Sequence, residues 1–198
     1  MADDDGDYLD ALEGEVMKRA SPKLRKMIRS QPVADAPRAA YHEAGHAVAA
    51  IRCGLPVAYV FIERNRDGEW EGTTNVPLSL EEMVDWEREH NNFLLFVCAG
   101  IAADRKRGTT SDFGWSHDMA KVSEILGGID EPRDQRKDRE HSAREGARTL
   151  VRTSWPTIEV VAQALLKSTR LEREELQRLV NGEPGASVRT HRQNDTHG

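Results

Sequence analysis

The stretch that decides the fold runs from Arg38 to Cys53 and has the sequence RAAYHEAGHAVAAIRC. Asp35 precedes it at a position suited to a helix N-cap, and Pro37 suits the first helical turn. Gly54 follows it, where a helix commonly ends. Because nearly all residues between these signals are apolar, we expect one helix that is buried on most sides.

Three ionisable residues interrupt this helix, and His42, Glu43 and His46 form the pattern HExxH. Residues four apart lie on one helix face, so both imidazoles can reach one ion. Neutral imidazole suits zinc, and catalytic zinc usually takes one further protein ligand and a water. We therefore predict a Zn²⁺ site with His42 and His46 as ligands and Glu43 as general base. A chance match is the alternative, but ionisable groups in so apolar a helix need a metal or hydrogen bonds to satisfy them.

The rest of the chain predicts a mainly α (α+β) fold with a small β-hairpin or sheet beside the HExxH helix. Residues 57–63 are β-branched and aromatic, and residues 70–76 can return as a second strand after a turn. A buried helix is expected over Phe93 to Ala103, ending near Gly108.

Capping and breaking residues divide the remaining chain into further helices. From Pro132 to Val180 the pattern is helical, with breaks at Trp155-Pro156 and near Thr169. The predicted caps are Ser79 with Glu82, Ser116, and Thr169 with Glu172. The 198 residues fit one domain, and we expect a flexible arm (1–34), a domain (35–180) and a disordered tail (181–198).

Composition excludes several classes of function. The formal charge is −6 and the basic residues do not gather into one stretch, so nucleic acid is a poor candidate partner. The first residues are acidic, unlike a signal peptide, and the apolar run over Phe93 to Ala103 is too short to span a bilayer. We expect no membrane contact and a cytoplasmic protein.

The cysteines and the remaining histidines have ordinary interpretations. Cys53 and Cys98 each fall in an apolar helical pattern, so we expect reduced core residues. Four histidines are predicted to lie at the surface: His90, His141, His191 and His197.

The segment AYHEAGHAV, from Ala40 to Val48, is similar to the signature of the peptidase domain of the FtsH family, the ATP-dependent membrane zinc metalloproteases. Other segments resemble that family too. EGTTNVP (71–77) resembles its second hairpin strand, AGIAAD (99–104) its GGRAAE helix, and TT with SHDM (109–119) its TTGASNDL stretch. The resemblance extends over residues 36–180 and implies a zincin-like domain.

The resemblance also implies the third ligand, which HExxH leaves open. In that family the aspartate of SNDL binds zinc, and the matching residue here is Asp118. Without the resemblance, Asp118 would be an ordinary first-turn acid of a helix. Asp104 matches a family acid and is expected to orient a ligand histidine, or else to be a solvated helix residue. His117 replaces the family's asparagine and could compete for the metal, and Ile101 replaces its arginine.

No segment has the pattern GxxxxGK[ST], so a counterpart of the family's ATPase module is missing from this chain. We therefore expect a zinc metalloendopeptidase that hydrolyses unfolded or flexible protein segments without ATP. One alternative is a zinc-binding docking or regulatory module with little activity, which works with a separate ATPase partner. Another is a peptidase kept inactive by the N-terminal arm. Assembly as a homo-oligomer stays open.

Overall fold

The computed structural model describes residues 35–77, 86–109 and 113–182. Its elements are, in order, α1 (Ala36–Arg52), β1 (Tyr59–Arg64), β2 (Trp70–Asn75), α2 (Trp86–Arg107), α3 (Phe113–Gly127), α4 (Arg133–Thr153), α5 (Trp155–Ser168), β3 (Arg170–Glu172) and α6 (Arg173–Asn181). The predicted mainly helical α+β fold with a small sheet is confirmed.

Helix α1 begins and ends where its sequence predicts. The backbone N–H of Arg38 donates to Asp35 Oδ1 at 2.7 Å, which satisfies one of the free amides of the first turn. Cys53 is the C-cap, and Gly54 follows in the left-handed region with a φ of 75°. Residues 43–50 are all buried, so α1 is the central helix of the domain.

Small side chains let α1 approach its neighbours closely. It lies between α2 and α5, with the hairpin of β1 and β2 packed against it. A Cβ on Gly45 would lie 2.7 Å from the Ala103 side chain and 2.9 Å from the Ala99 carbonyl oxygen. The backbones of α1 and α2 are therefore nearly in contact, and side chains of both helices can reach one site.

The sheet has the order β2-β1-β3, and both pairings are antiparallel. Val60 lies opposite Thr74 in β2 and opposite Leu171 in β3. Val60, Ile62 and Leu171 are buried and face the helices. The predicted hairpin is confirmed, and β2 is an edge strand of this sheet.

Strand β3 was not predicted, and the capping box at Thr169 and Glu172 is wrong. Thr169 takes a left-handed φ of 60° and ends α5, with its hydroxyl donating to the Ser168 carbonyl. Glu172 is the N-cap of α6 but makes no side-chain capping bond. Arg170 to Glu172 pair with β1 instead, and the Thr169 backbone N–H, which a capping box would bond, donates to the Leu165 carbonyl at the end of α5.

Two further predictions need correction. Helix α3 begins at Phe113, so Ser116 lies inside its first turn and Asp118 is beyond that turn. The first amides of a helix lack intrahelical partners, which makes a serine acceptable there as well as at the cap.

His90 is not at the surface but 1% exposed, because it lies one turn before the buried Leu94 on the inner face of α2. His141 is exposed, as predicted.

The other predictions concern burial, membrane crossing and segments outside the described residues. Helix α2 contains the predicted buried helix and is followed by Gly108. Cys53 and Cys98 are free, and burial raises the pKa of the Cys98 thiol to about 11. Among the described helices, none combines the length and apolarity needed to cross a membrane. The predicted arm, the Ser79–Glu82 box, residues 183–198 of the predicted tail, His191 and His197 lie outside the described residues.

Candidate metal centre

Three predicted ligands meet between α1 and α3. His42 Nε2 and His46 Nε2 are 3.1 Å apart, and Asp118 Oδ2 lies 3.2 Å from the first and 3.4 Å from the second. The two histidines lie on α1, whereas Asp118 lies on α3, more than 70 residues later in the chain. Helix α3 packs against α2, and this packing brings the carboxylate to the histidines. This group of two nitrogens and one carboxylate could hold a metal ion.

The outer nitrogen of each ring fixes which atom faces the centre. His46 Nδ1 lies 2.9 Å from the Phe96 carbonyl oxygen, which can only accept, so Nδ1 carries the hydrogen. His42 Nδ1 lies 3.0 Å from Oδ2 of Asp104, a carboxylate with no exposed surface. In the neutral rings both Nε2 atoms therefore present lone pairs to each other. Such outer hydrogen bonds are typical of histidines that bind metal.

Asp118 adds a third electron-pair donor. Its Oδ2 is buried and makes no hydrogen bond with the residues that the structure describes, although it lies at ion-pair distance from both rings. Three lone-pair atoms that face one another in a buried place need a cation or a proton between them. The residues present therefore fit a metal ion.

The charges around the centre also favour a positive charge between its three groups. Burial opposes protonation of His42, but the hydrogen bond to Asp104, the ion-pair contact with Asp118 and the negative charges of both carboxylates hold its pKa well above 6.5. Burial also opposes protonation of His46, yet the charge of Asp118 raises its pKa. Burial opposes ionisation of Asp118, but the neighbouring histidines hold its pKa well below the usual range. The carboxylate thus stays ionised, and without metal the rings favour a proton in the metal's place.

One face of α2 forms the floor of the centre. Phe96, Gly100 and Asp104 are spaced by four residues and so lie along one side of that helix. A Cβ on Gly100 would lie 2.3 Å from His46 Nε2 and 2.7 Å from His42 Nε2. Only glycine leaves room for both rings at this point.

Glu43 lies beside the centre, on the side of strand β2. Its side chain is buried, at 6% exposure, and its negative charge helps to raise the pKa of His46. The Thr74 hydroxyl donates to Glu43 Oε2 at 2.8 Å. A Cβ on Gly72 would lie 2.5 Å from Glu43 Cγ, so glycine is needed here too.

The structure brings His42, His46 and Asp118 to one place, with Glu43 next to His42 on α1, and Asp104 is buried in contact with His42 rather than solvated. The roles predicted for these residues stay predictions. His117, which was predicted as a possible competitor for the metal, is exposed and is not part of this cluster.

Sequence reasoning missed several partners of the site. Gly72, Gly100 and Thr74 fall within the stretches 71–77 and 99–104, which carry the resemblance, but no site role was predicted for these three residues. Nothing in the sequence points to the carbonyl of Phe96 as a partner of His46.

No protein-family model and no curated protein sequence matches this chain. The resemblance to the FtsH peptidase domain accordingly stays a prediction from the quoted motifs.

Proposed function

We propose that this chain is a zinc-dependent endopeptidase that hydrolyses peptide bonds in unfolded or flexible protein segments. The observation that carries the proposal is the convergence of two histidine Nε2 lone pairs and the ionised Asp118, with Glu43 buried next to them. A site with three protein ligands and a carboxylate base beside it is typical of catalytic rather than structural zinc, which usually closes its fourth position with protein.

His42, His46 and Asp118 would hold the ion, and their two nitrogens and one oxygen suit zinc. When bound, zinc acidifies a water and polarises the carbonyl oxygen of the scissile amide. Asp104 and the Phe96 carbonyl keep the hydrogen of each ring on Nδ1, so that both Nε2 atoms stay available.

Glu43 would act as general base and acid. Its Oε2 accepts the hydrogen bond from Thr74, while no described residue donates to Oε1. Oε1 can therefore accept a proton from the attacking water and return it to the leaving amine. Glu43 directly follows His42 and is buried, which supports this role beside the proposed ligands.

Strand β2 offers a way to present the substrate. Only one of its edges is paired, with β1, within the described residues. An extended peptide could add to the other edge through main-chain hydrogen bonds, close to Glu43. Because the chain has no phosphate-binding loop motif to power unfolding, we propose that its substrates are already unfolded.

The experiment compares one substrate protein in two states, permanently unfolded by reduction and carboxymethylation, and native with its disulfides intact. Zinc-loaded enzyme without nucleotide should cleave the unfolded form and leave the native form whole. Removal of the metal by a chelator should abolish cleavage, and stoichiometric zinc should restore it. A protein that retains one zinc but cleaves neither form would contradict the proposal and favour the docking module.

A further inference from the structure

The side chain of Thr74 bonds the carboxylate of Glu43. The Thr74 hydroxyl lies 2.8 Å from Glu43 Oε2 and 3.1 Å from the Glu43 main-chain oxygen, and both oxygens are acceptors. The shorter contact is to the carboxylate, where a charged acceptor makes the stronger bond. Among the described residues, no other donor bonds this carboxylate.

Strand β2 places the Thr74 hydroxyl against Glu43. Thr74 lies opposite Val60, a fully buried residue of the central strand β1. Gly72, two residues earlier on the same face of β2, is so close that an added Cβ would fall 2.5 Å from Glu43 Cγ. Glu43 is thus held at two points, by the backbone of Gly72 along its stem and by the Thr74 hydroxyl at its tip.

Thr74 bonds only one of the two carboxylate oxygens of Glu43, and this difference has a chemical consequence. A general base must keep one oxygen free and aimed at the proton that it accepts. A carboxylate that turns freely about its terminal torsion would spend part of its time misdirected, because that torsion is broad. The bond from Thr74 to Oε2 restricts this rotation, and Oε1 has no donor among the described residues.

We propose that Thr74 is a positioning residue, which holds Glu43 Oε2 so that Oε1 faces the water that is deprotonated in the reaction. This inference rests on the proposed function. The role belongs to Thr74 alone of the two adjacent threonines, because Thr73 is exposed on the opposite face of β2.

The test uses Thr74→Val, which keeps the shape and loses the hydroxyl, Thr74→Ser, which keeps the hydroxyl, and Thr73→Val as the matched control. With zinc-loaded proteins, Thr74→Val should lower kcat about ten- to a hundredfold, as expected for the loss of a hydrogen bond to a charged group. KM and the content of one zinc per chain should stay unchanged. Thr74→Ser should recover most of kcat, and Thr73→Val should match the wild type.

A Thr74→Val variant whose kcat equals that of the wild type would overturn the positioning role. So would a loss that Thr74→Ser fails to recover, or a loss that Thr73→Val shares, because either would indicate a structural effect of the strand.

A second measurement does not depend on activity. The shift in denaturation midpoint caused by Thr74→Val is compared in the wild-type and Glu43→Ala backgrounds. A larger shift when Glu43 is present supports the contact, and equal shifts overturn it. If the wild type binds zinc but hydrolyses nothing, the proposed function fails and the positioning role fails with it, whereas the coupling still reports whether the contact exists.

Discussion

The imidazoles of His42 and His46 face each other through their Nε2 atoms, 3.1 Å apart, while Asp104 and the Phe96 carbonyl occupy their Nδ1 atoms. Two neutral rings in this arrangement direct lone pairs at one another, and the ionised Asp118 adds a third donor. The centre is therefore stable only with a positive charge among the three groups. A metal ion or a proton can supply it.

The first prediction concerns the ligands. Substitution of His42, His46 or Asp118 by alanine should lower zinc affinity by more than about 100-fold, since loss of a direct ligand should exceed the cost of losing an outer partner. The measurement is zinc content after dialysis, with affinity from competition against a chelator. His117→Ala is the matched control, because His117 precedes Asp118 but is exposed, and it should bind zinc like the wild type. Equal loss in His117→Ala would contradict the assignment.

The second prediction concerns the partner of His42. Asp104→Asn should weaken zinc binding about 10- to 100-fold without abolishing it, because the amide is a poorer acceptor for the Nδ1 hydrogen than the carboxylate. Asp138→Asn, at an exposed position of α4, serves as control and should have no effect. Zinc affinity of Asp104→Asn equal to that of the wild type would show that the hydrogen bond of 3.0 Å does not support the ligand.

The third prediction concerns pH. His42 and His46 have raised pKa values in the metal-free fold, so this fold binds more protons than the unfolded chain above pH 6.5. Their contribution to the stability of metal-free protein is fully present below pH 6.5 and is lost as the pH rises through the folded-state pKa values. The free energy of unfolding should fall there by up to about 1.4 kcal/mol per pH unit for each group.

Denaturant titrations of chelated protein at several pH values measure this loss. The zinc-loaded protein is the control and should not lose stability over the same range, because metal replaces the proton. Zinc binding near pH 7 should also release protons, which calorimetry in buffers of different ionisation enthalpy detects. Metal-free stability that rises through this range would contradict the charge arrangement.

The fourth prediction concerns Gly100. In a helix, Gly→Ala ordinarily stabilises by about 1 kcal/mol. Here the new Cβ would lie 2.3 Å from His46 Nε2, so Gly100→Ala should displace a ligand ring and abolish tight zinc binding. Gly146→Ala is the control, because its Cβ would meet only the Leu95 side chain, at 3.1 Å. Tight zinc binding by Gly100→Ala would contradict the close contact between Gly100 and the two imidazole rings.

The sequence predicted the parts of the site that depend on local spacing. His42 and His46 share a helix face, and α1 is capped by Asp35 and ends just before Gly54, as predicted. The ligand role of Asp118 was predicted only from the family resemblance, because no periodicity in the sequence relates Asp118 to α1. The structure places it in the second turn of α3, so the favourable field at a helix start does not explain its position.

The parts that sequence reasoning missed depend on contacts between distant segments. The bond of Thr74 to Glu43 joins residues 31 apart, and the Phe96 carbonyl meets His46 from 50 residues away. Strand β3 is three residues long and gains its stability from pairing with β1, which no local pattern reveals. His90 was wrongly predicted at the surface, since it lies on the inner face of α2 and is 1% exposed.

The most direct test of the central claim is hydrolysis of an unfolded protein by Glu43→Gln, compared with wild type at equal zinc content. Glutamine keeps the shape and can still accept a hydrogen bond from Thr74, but it cannot accept a proton at pH 7. We predict that Glu43→Gln holds one zinc and loses at least about 100-fold in kcat, in line with the contribution of a general base. A variant that cleaves as fast as the wild type would contradict the account.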